Sequence, residues 1–401
     1  MRPNVFLILF LVAAAAGVFF TGFSTYDFVQ HLDRQVHGIH CSFIPGITGT
    51  DASGSSGCHV TMMSPYSSVL RATIWGGLPI SLPGLAVFAY LLFRGLDLLL
   101  NRREQETGTT GFLLAAATLP LLTSVVMGYI SLVELGAACK LCIGTYSSSL
   151  GVFATALILW RQAAGSPDAE LGQELSGHIA SVAMGVAFVA MPAVAYVAMM
   201  PDYSKYVGSC GELPKPEDTN GVMIALDQNP TGAPTVEVFD PLCPACKGFE
   251  NRLEASGLAE KLNRKAILFP LDNSCNWMVG TTLHAGACTV SEAVLCAGDA
   301  KAKAVIDWAF AHQDEIRAAA EKDPKAAETM VSGAFPELKS CLGSSKVKQK
   351  LNQSLRWAVA NQIPVLTPQV YVRNQKLCDE DTDLGMDYAL SRLISKQEGS
   401  K

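Results

Sequence analysis

Five uncharged apolar stretches, 5–22, 72–93, 111–133, 141–160 and 179–200, crowd into the first half of the chain. Each has roughly the 20 residues that a helix needs to cross the ~30 Å of hydrocarbon in a bilayer. Lipid offers a backbone no hydrogen-bond partners, so such runs dictate helices. After residue 200 the long apolar runs stop. The 401 residues exceed one compact domain, and a mean hydropathy of +0.26 with 16% charged residues is apolar for a soluble enzyme. The chain reads as multi-domain: an α-helical membrane bundle of five transmembrane helices, then a separate α/β domain.

The first stretch has a second reading as a cleaved signal peptide, since Arg2 precedes it and Ala13 to Ala16 resembles a small-residue cleavage region. Keeping it gives an odd number of crossings and separates the N-terminus from the C-terminal domain. Losing it leaves that domain on the same side. With five spans, all 12 cysteines lie on one side or at its border. Disulfides persist outside the reducing cytosol, so the cysteine face is expected to be extracytoplasmic. Arg94, Arg102, Arg103 and Arg161 place positive charge in the opposite loops, although Arg34, Arg71 and Lys140 fall on the outer side. A net charge of −6 without a dense basic run gives no reason to expect nucleic-acid binding.

Between the spans, 26–73 is too long for a tight connection, and its Gly/Ser-rich middle, 46–57, reads as a mobile loop. The turn 134–138 delivers Cys139 to the outer membrane surface. A Pro/Gly/Asp/Asn-rich segment, 201–234, reads as a linker. Then come a strand at 235–239, a helix opened by Pro244 and continuing over 247–262, and a strand at 266–269. A long Ala-rich helical region follows to about Ala360, with a strand at 369–372 and a helix around 384–394. No internal repeat or heptad tract is present. The expected domains are 1–165 in the membrane, 166–234 with the fifth helix and linker, and 235–401.

Two Cys-x-x-Cys motifs carry chemistry, Cys139-Lys140-Leu141-Cys142 and Cys243-Pro244-Ala245-Cys246. A strand that delivers Cys243 to a helix start exposes it to unpaired N–H groups and the positive helix end. That lowers the thiol pKa and makes Cys243 the attacking cysteine, with Cys246 the buried resolving partner. The same spacing is half of a zinc site, which Cys275, Cys288 and His284 could complete; no metal is expected. The segment 237–250, Glu-Val-Phe-Asp-Pro-Leu-Cys-Pro-Ala-Cys-Lys-Gly-Phe-Glu, resembles the DsbA-like thioredoxin-fold oxidoreductases. The resemblance implies a thioredoxin-like domain with a helical insertion. It gives Glu237, six positions before Cys243, a role in moving the proton of the buried thiol; an ordinary edge or partly exposed strand glutamate is the alternative. It also makes Thr367-Pro368 a cis-proline element facing the disulfide, against a trans proline at a strand start. Ala245 stands where strongly oxidising DsbA proteins have histidine, which removes one imidazolium donor.

In the membrane half, Gly57-Cys58-His59 through Ser64-Pro65-Tyr66-Ser67-Ser68, then Gly77-Leu78-Pro79-Ile80-Ser81 and Gly84-Leu85, resembles bacterial vitamin K epoxide reductase homologues, and Cys139/Cys142 complete the pattern. The resemblance spans about 5–160 and implies a four-helix catalytic core. By motif position it implies that Cys142 lies nearest a quinone, ubiquinone or menaquinone, with Cys139 its exchange partner. It makes Cys41 and Cys58 a loop shuttle, and Ser64 a hydrogen-bonding partner of the quinone. Ser64 also suits an N-cap ahead of the second span, and Cys41/Cys58 also suits a structural disulfide. The interval between those two cysteines is longer than the family's usual spacing.

Together the resemblances imply a membrane thiol oxidase in the bacterial inner membrane, its thioredoxin-like domain on the periplasmic side. Electrons would pass from reduced secreted or periplasmic proteins to Cys243/Cys246, then Cys41/Cys58, then Cys139/Cys142, then quinone. The alternatives are a membrane-tethered reductase or isomerase fed by cytosolic reductant, and a non-enzymatic periplasmic chaperone. The other six cysteines, Cys210, Cys275, Cys288, Cys296, Cys341 and Cys378, allow fifteen pairings and are expected to form structural bridges. Aromatic residues within the spans are expected to be packing or interface residues.

Overall fold

The computed structural model describes residues 4–33, 57–165, 175–227 and 229–396. The chain divides into two compact units, 1–201 and 202–401.

The N-terminal unit contains α1 (Val5–Gln30), α2 (Gly57–Met63), the short hairpin β1 (Ser68–Val69) and β2 (Leu78–Pro79), α3 (Ser81–Asn101), α4 (Thr107–Tyr129), α5 (Lys140–Ala164) and α6 (Leu175–Met199). Among the described residues, five helices are long and apolar enough to cross a membrane, as the sequence predicts. In α1, Leu7, Phe10, Ala14, Gly17 and Thr21 recur at helical spacing and are buried. This face meets α3 and α5, while Ile8, Leu9, Val12 and Phe19 point outward. A helix that is apolar all round with only one face buried by protein suits a lipid surround. α5 packs on α4, and α6 packs on α3, where the Tyr90 hydroxyl donates to the Ser181 carbonyl at 2.7 Å.

The second span starts at Ser81 rather than at 72. Gly76 and Gly77 have φ of +67° and +77°, which no right-handed helix accommodates, and Ser68–Val69 pairs antiparallel with Leu78–Pro79. The apolar run therefore holds a turn before its helix. α4 ends in a π turn, Ile130–Glu134, after which the Ser131 hydroxyl donates to the Ala137 carbonyl and secures the approach to Cys139.

The C-terminal unit contains β3 (Ile224–Ala225), β4 (Ala233–Phe239), α7 (Pro244–Ala255), β5 (Leu262–Leu268), α8 (Ala287–Ala297), α9 (Ala302–Ala311), α10 (Gln313–Lys322), α11 (Ala326–Ala334), α12 (Ser345–Ala360), β6 (Gln369–Val372), β7 (Gln375–Lys376) and α13 (Met386–Ser395). The sheet order is β3-β5-β4-β6-β7. Only β4 and β5 are parallel, joined by the α7 crossover; the other neighbours are antiparallel. Successive side chains alternate between two covered faces: Ala266 and Leu268 enter the core built with α8–α12, and Ile267 enters the other.

The segment 201–234, read from sequence as a linker, instead packs into this unit from residue 202 onward. Val207, Leu213 and Val222 are buried, and Cys210 is bonded to Cys378. Its Pro/Gly content shapes an irregular but packed segment. The edge strands β3 and β7 are two residues each, too short for an alternation pattern. α7 stops at Ala255, before Gly257 at φ +69°. Two further bridges among the described residues of this unit are Cys275–Cys288 and Cys296–Cys341. Cys275 and Cys288, open on sequence as zinc ligands, are thus bonded to each other.

Candidate functional site

In the C-terminal unit, β4 runs into the Asp240–Leu242 turn and presents Cys243 as the N-cap of α7, with Pro244 in the first turn. Cys243 and Cys246 are both free thiols and both buried. A hydrogen bond from the Cys246 thiol holds the Cys243 pKa down to about 6, with burial acting against this lowering and Thr367 and the Cys246 backbone N–H adding to it. Burial and the neighbouring Cys243 push Cys246 well above an ordinary thiol. The two sulfurs therefore differ in kind: one is readily a thiolate at neutral pH, and the other keeps its proton.

Across from Cys243, its Sγ lies 3.5 Å from the Thr367 carbonyl oxygen, and the Thr367–Pro368 peptide bond is cis, not trans. Pro368 leads into β6, which pairs with β4. Glu237 is no edge glutamate: it sits on the central strand and is 5% exposed. Burial raises its pKa to about 7, against Arg264 and with help from Glu250 and Asp227. Its Oε2 is 3.6 Å from the Arg264 guanidinium, and its Oε1 has no hydrogen-bond partner among the described residues. Glu237, Cys246, Lys303 and Pro368 line one small cavity of about 20 Å³, room for about one water. A buried acid that is easily protonated thus shares a void with the thiol that resists losing its proton.

In the N-terminal unit the same local device recurs in different surroundings. Cys139 is the N-cap of α5, and the Cys142 N–H donates to its sulfur at 3.4 Å. α2 brings Cys58 to the same place, with Cys58 Sγ 3.2 Å from Cys139 Sγ. Cys58 is disulfide-bonded, whereas Cys139 and Cys142 are free. Cys41 lies outside the described residues. Gly57 makes the approach of α2 possible, because a Cβ there would collide with the Ala138 carbonyl oxygen. Phe20, Phe23 and Leu141 surround the sulfurs.

A cavity of about 310 Å³ opens beside these cysteines, with Cys58, Cys139, Cys142 and Ser64 on its wall. Ser64 is not the N-cap of the second span, which begins seventeen residues later at Ser81. Its hydroxyl donates to the Thr61 carbonyl at 2.8 Å, which leaves the oxygen lone pairs available as acceptors. The surface the wall exposes is mainly apolar, although Ser, Thr and Tyr residues and Asp27 contribute to it, a make-up compatible with a small-molecule site.

Residues 8–157 match the vitamin K epoxide reductase family. The chain carries a domain of this family. The match covers the helices that hold Cys58, Cys139 and Cys142 and stops before α6 and the C-terminal unit. No curated protein matches the chain. Membership implies a membrane disulfide oxidoreductase, in keeping with cysteine pairs in a bundle of apolar helices.

Several residues of the vitamin K epoxide reductase domain escaped the sequence reading. Tyr146, treated there as span packing, lines the cavity one helical turn beyond Cys142, and the i, i+4 spacing is the signal that could have found it. Asp27 and Thr61 line it too; a carboxylate following an apolar run was visible for Asp27, and nothing marked Thr61. In the C-terminal unit the missed residue is Arg264. It is 1% exposed and hydrogen-bonds both Asp227 and Glu250 while facing Glu237. The sequence reading began this strand at 266, so an arginine beside Lys265 gave no hint of three carboxylate neighbours.

Proposed function

We propose that the chain is a membrane thiol oxidase that makes disulfides in proteins outside the cytosol, with the C-terminal unit acting as a DsbA-like, thioredoxin-fold donor and the membrane domain as its oxidant. The observation that carries this reading is the 3.2 Å separation between the disulfide-bonded Cys58 and the free Cys139. A thiolate must meet a disulfide sulfur for exchange, and these two already touch beside a cavity. In the C-terminal unit, a Cys243 thiolate and a protonated Cys246 support the entry of substrate electrons at Cys243.

The order is stepwise. A substrate thiolate attacks Cys243 of the Cys243–Cys246 disulfide, its second thiol resolves the mixed disulfide, and the pair is left as a dithiol. That dithiol reduces the Cys41/Cys58 shuttle. The shuttle in turn reduces Cys139/Cys142, Cys58 exchanging with Cys139, and two electrons leave the chain at Cys142. A quinone bound in the cavity supplies the acceptor for two electrons and two protons. The fit rests on the apolar wall and on the Ser64 and Tyr146 hydroxyls that share it with Cys142. The sulfhydryl face, with every cysteine on one side of the five spans, supports an extracytoplasmic, periplasmic C-terminal unit in the inner membrane. Joining the two units in one chain replaces diffusive encounter between separate proteins with an intramolecular one.

Stopped-flow quinone reduction by the full chain, fed with a reduced protein, tests the reading. Turnover is expected in the wild type and is abolished in Cys142→Ala. Normal turnover in that variant, or equal turnover driven by a cytosolic reductant without quinone, refutes it.

A further inference from the structure

The Cys-Pro-Ala-Cys motif has no histidine between its cysteines, yet a histidine reaches the same turn from another part of the chain. His284 lies between β5 and α8, is 8% exposed, and places Nδ1 2.7 Å from Oδ2 of Asp240. Asp240 is fully buried three residues before Cys243. Its Oδ1 accepts the Leu242 N–H at 2.7 Å, its Oδ2 accepts the Leu271 N–H at 2.7 Å, and its backbone carbonyl accepts the Cys243 N–H at 3.1 Å. This carboxylate shapes the turn that carries the attacking sulfur. Its charge also works against that sulfur, raising the Cys243 pKa.

The backbone that carries His284 is anchored by further contacts. The Leu283 and His284 N–H groups donate to the Leu271 carbonyl at 2.9 and 3.1 Å, Asp272 accepts the Gly286 N–H at 3.0 Å, and Cys275–Cys288 closes the segment. Burial disfavours charge on the ring, but the Asp240 carboxylate outweighs it and raises the imidazole above its ordinary value. Cys243 acts in the same direction and Arg317 against it. The charged and titratable groups facing the ring are therefore Asp240, Cys243 and Arg317, with Asp272 along its own segment.

We propose that His284, as an imidazolium clamped on Asp240, is a positioning residue for Cys243: it cancels the carboxylate behind the Cys243 turn and supplies the positive charge that the motif itself lacks. It acts through Asp240 and through space, without touching the exchanging sulfurs. The proposal rests on Cys243 being the attacking cysteine. Coupling of this kind is mutual, so formation of the Cys243 thiolate must in turn favour protonation of His284.

The test is the alkylation rate of Cys243 against pH, read from its own peptide by mass spectrometry in the full chain in detergent. His284→Gln keeps a hydrogen-bond donor for Asp240 but carries no charge. The Cys243 midpoint is expected to rise by about one pH unit in this variant. It is expected to return toward the wild-type midpoint in His284→Gln combined with Asp240→Asn, which removes both charges. An unchanged midpoint in a folded His284→Gln chain overturns the proposal, because a merely structural histidine would leave it there. If the variants do not fold, the wild type decides: with ¹³C-labelled histidine, one imidazole must titrate at higher pH when Cys243 and Cys246 are reduced than when they are oxidised. Equal midpoints overturn the proposal. A shifted midpoint in a chain that does not reduce quinone leaves this coupling standing and removes the relay.

Discussion

Replacing Glu237 with glutamine is expected to stabilise the C-terminal unit at alkaline pH and to leave it unchanged in acid. The carboxyl goes from an ordinary 4.5 to about 7 on burial, with Arg264 only partly offsetting the desolvation. The folded unit therefore binds more protons than the unfolded chain between those two values, and stability falls as pH rises through them. Below about 4.5 both states are protonated, and Glu237 and a neutral amide are equivalent. Above about 7 the ionised carboxylate costs about 3.5 kcal/mol, for the rise from 4.5 to about 7 at ~1.4 kcal/mol for each tenfold in proton affinity. Hydrogen exchange at β4 amides, with Cys243 and Cys246 oxidised so that neither thiol titrates, reads this directly. Comparing variant and wild type at the same pH cancels the intrinsic exchange rate. Protection is expected to be about three hundredfold higher in Glu237→Gln at pH 8, and equal at pH 4. Equal protection at pH 8, or a gain at pH 4 as large as that at pH 8, would refute the assignment of the shift to burial of a charge.

Gly57→Ala tests the approach of α2 to the Cys139 turn, where the added Cβ meets the Ala138 carbonyl oxygen. It is expected to slow formation of the Cys58–Cys139 mixed disulfide, trapped in a Cys142→Ala background, by about a hundredfold, the scale of an ångström-sized misplacement; unimpaired trapping would show that α2 is not held there by the glycine. Removing Cys275–Cys288, a bridge across 13 residues, is expected to destabilise the C-terminal unit by about 3 kcal/mol in urea unfolding. A change below about 0.5 kcal/mol would mean that the backbone hydrogen bonds to Leu271 hold the segment by themselves.

Features that repeat along the chain were legible, and features made by distant neighbours were not. Apolar length alone located five spans, because lipid fixes both the length and the hydrogen bonding of what crosses it. The strand 235–239 and helix start at Pro244 were readable from β-branched residues and a proline at a first turn, and both lie inside observed elements. The start of α3 was misplaced because Trp75, Gly76 and Gly77 are as apolar as a helix would be, and only the positive φ of the two glycines excludes one. Burial of Glu237 depends on β4 being central, which requires β6, 130 residues later, to pair with it. Arg264 and His284 become informative only when three-dimensional neighbours give each a carboxylate, and no local spacing encodes that.

Both Cys-x-x-Cys pairs use one local device. Cys139 and Cys243 are each an N-cap in extended conformation at the start of a helix, with their partners one turn inside. The motif sets that geometry, so it cannot by itself decide which pair meets protein and which meets a small molecule. In the proposed relay that assignment rests on what stands opposite each pair. Cys243 faces the Thr367 carbonyl, a backbone group before a strand, and its partner shares a cavity with a buried acid that has room for about one water. Cys139 faces another sulfur, and its partner borders a cavity some fifteen times larger, 310 against 20 Å³. A protein substrate needs a sulfur beside backbone groups with which an extended chain can pair, and a proton acceptor for the resolving thiol. A small oxidant needs volume beside the last sulfur. Exchanging the Lys140-Leu141 and Pro244-Ala245 dipeptides between the motifs should therefore alter rates at each site while leaving the order of electron transfer intact, as judged by which mixed disulfides are trapped. An inverted order would place the decision in the dipeptide after all.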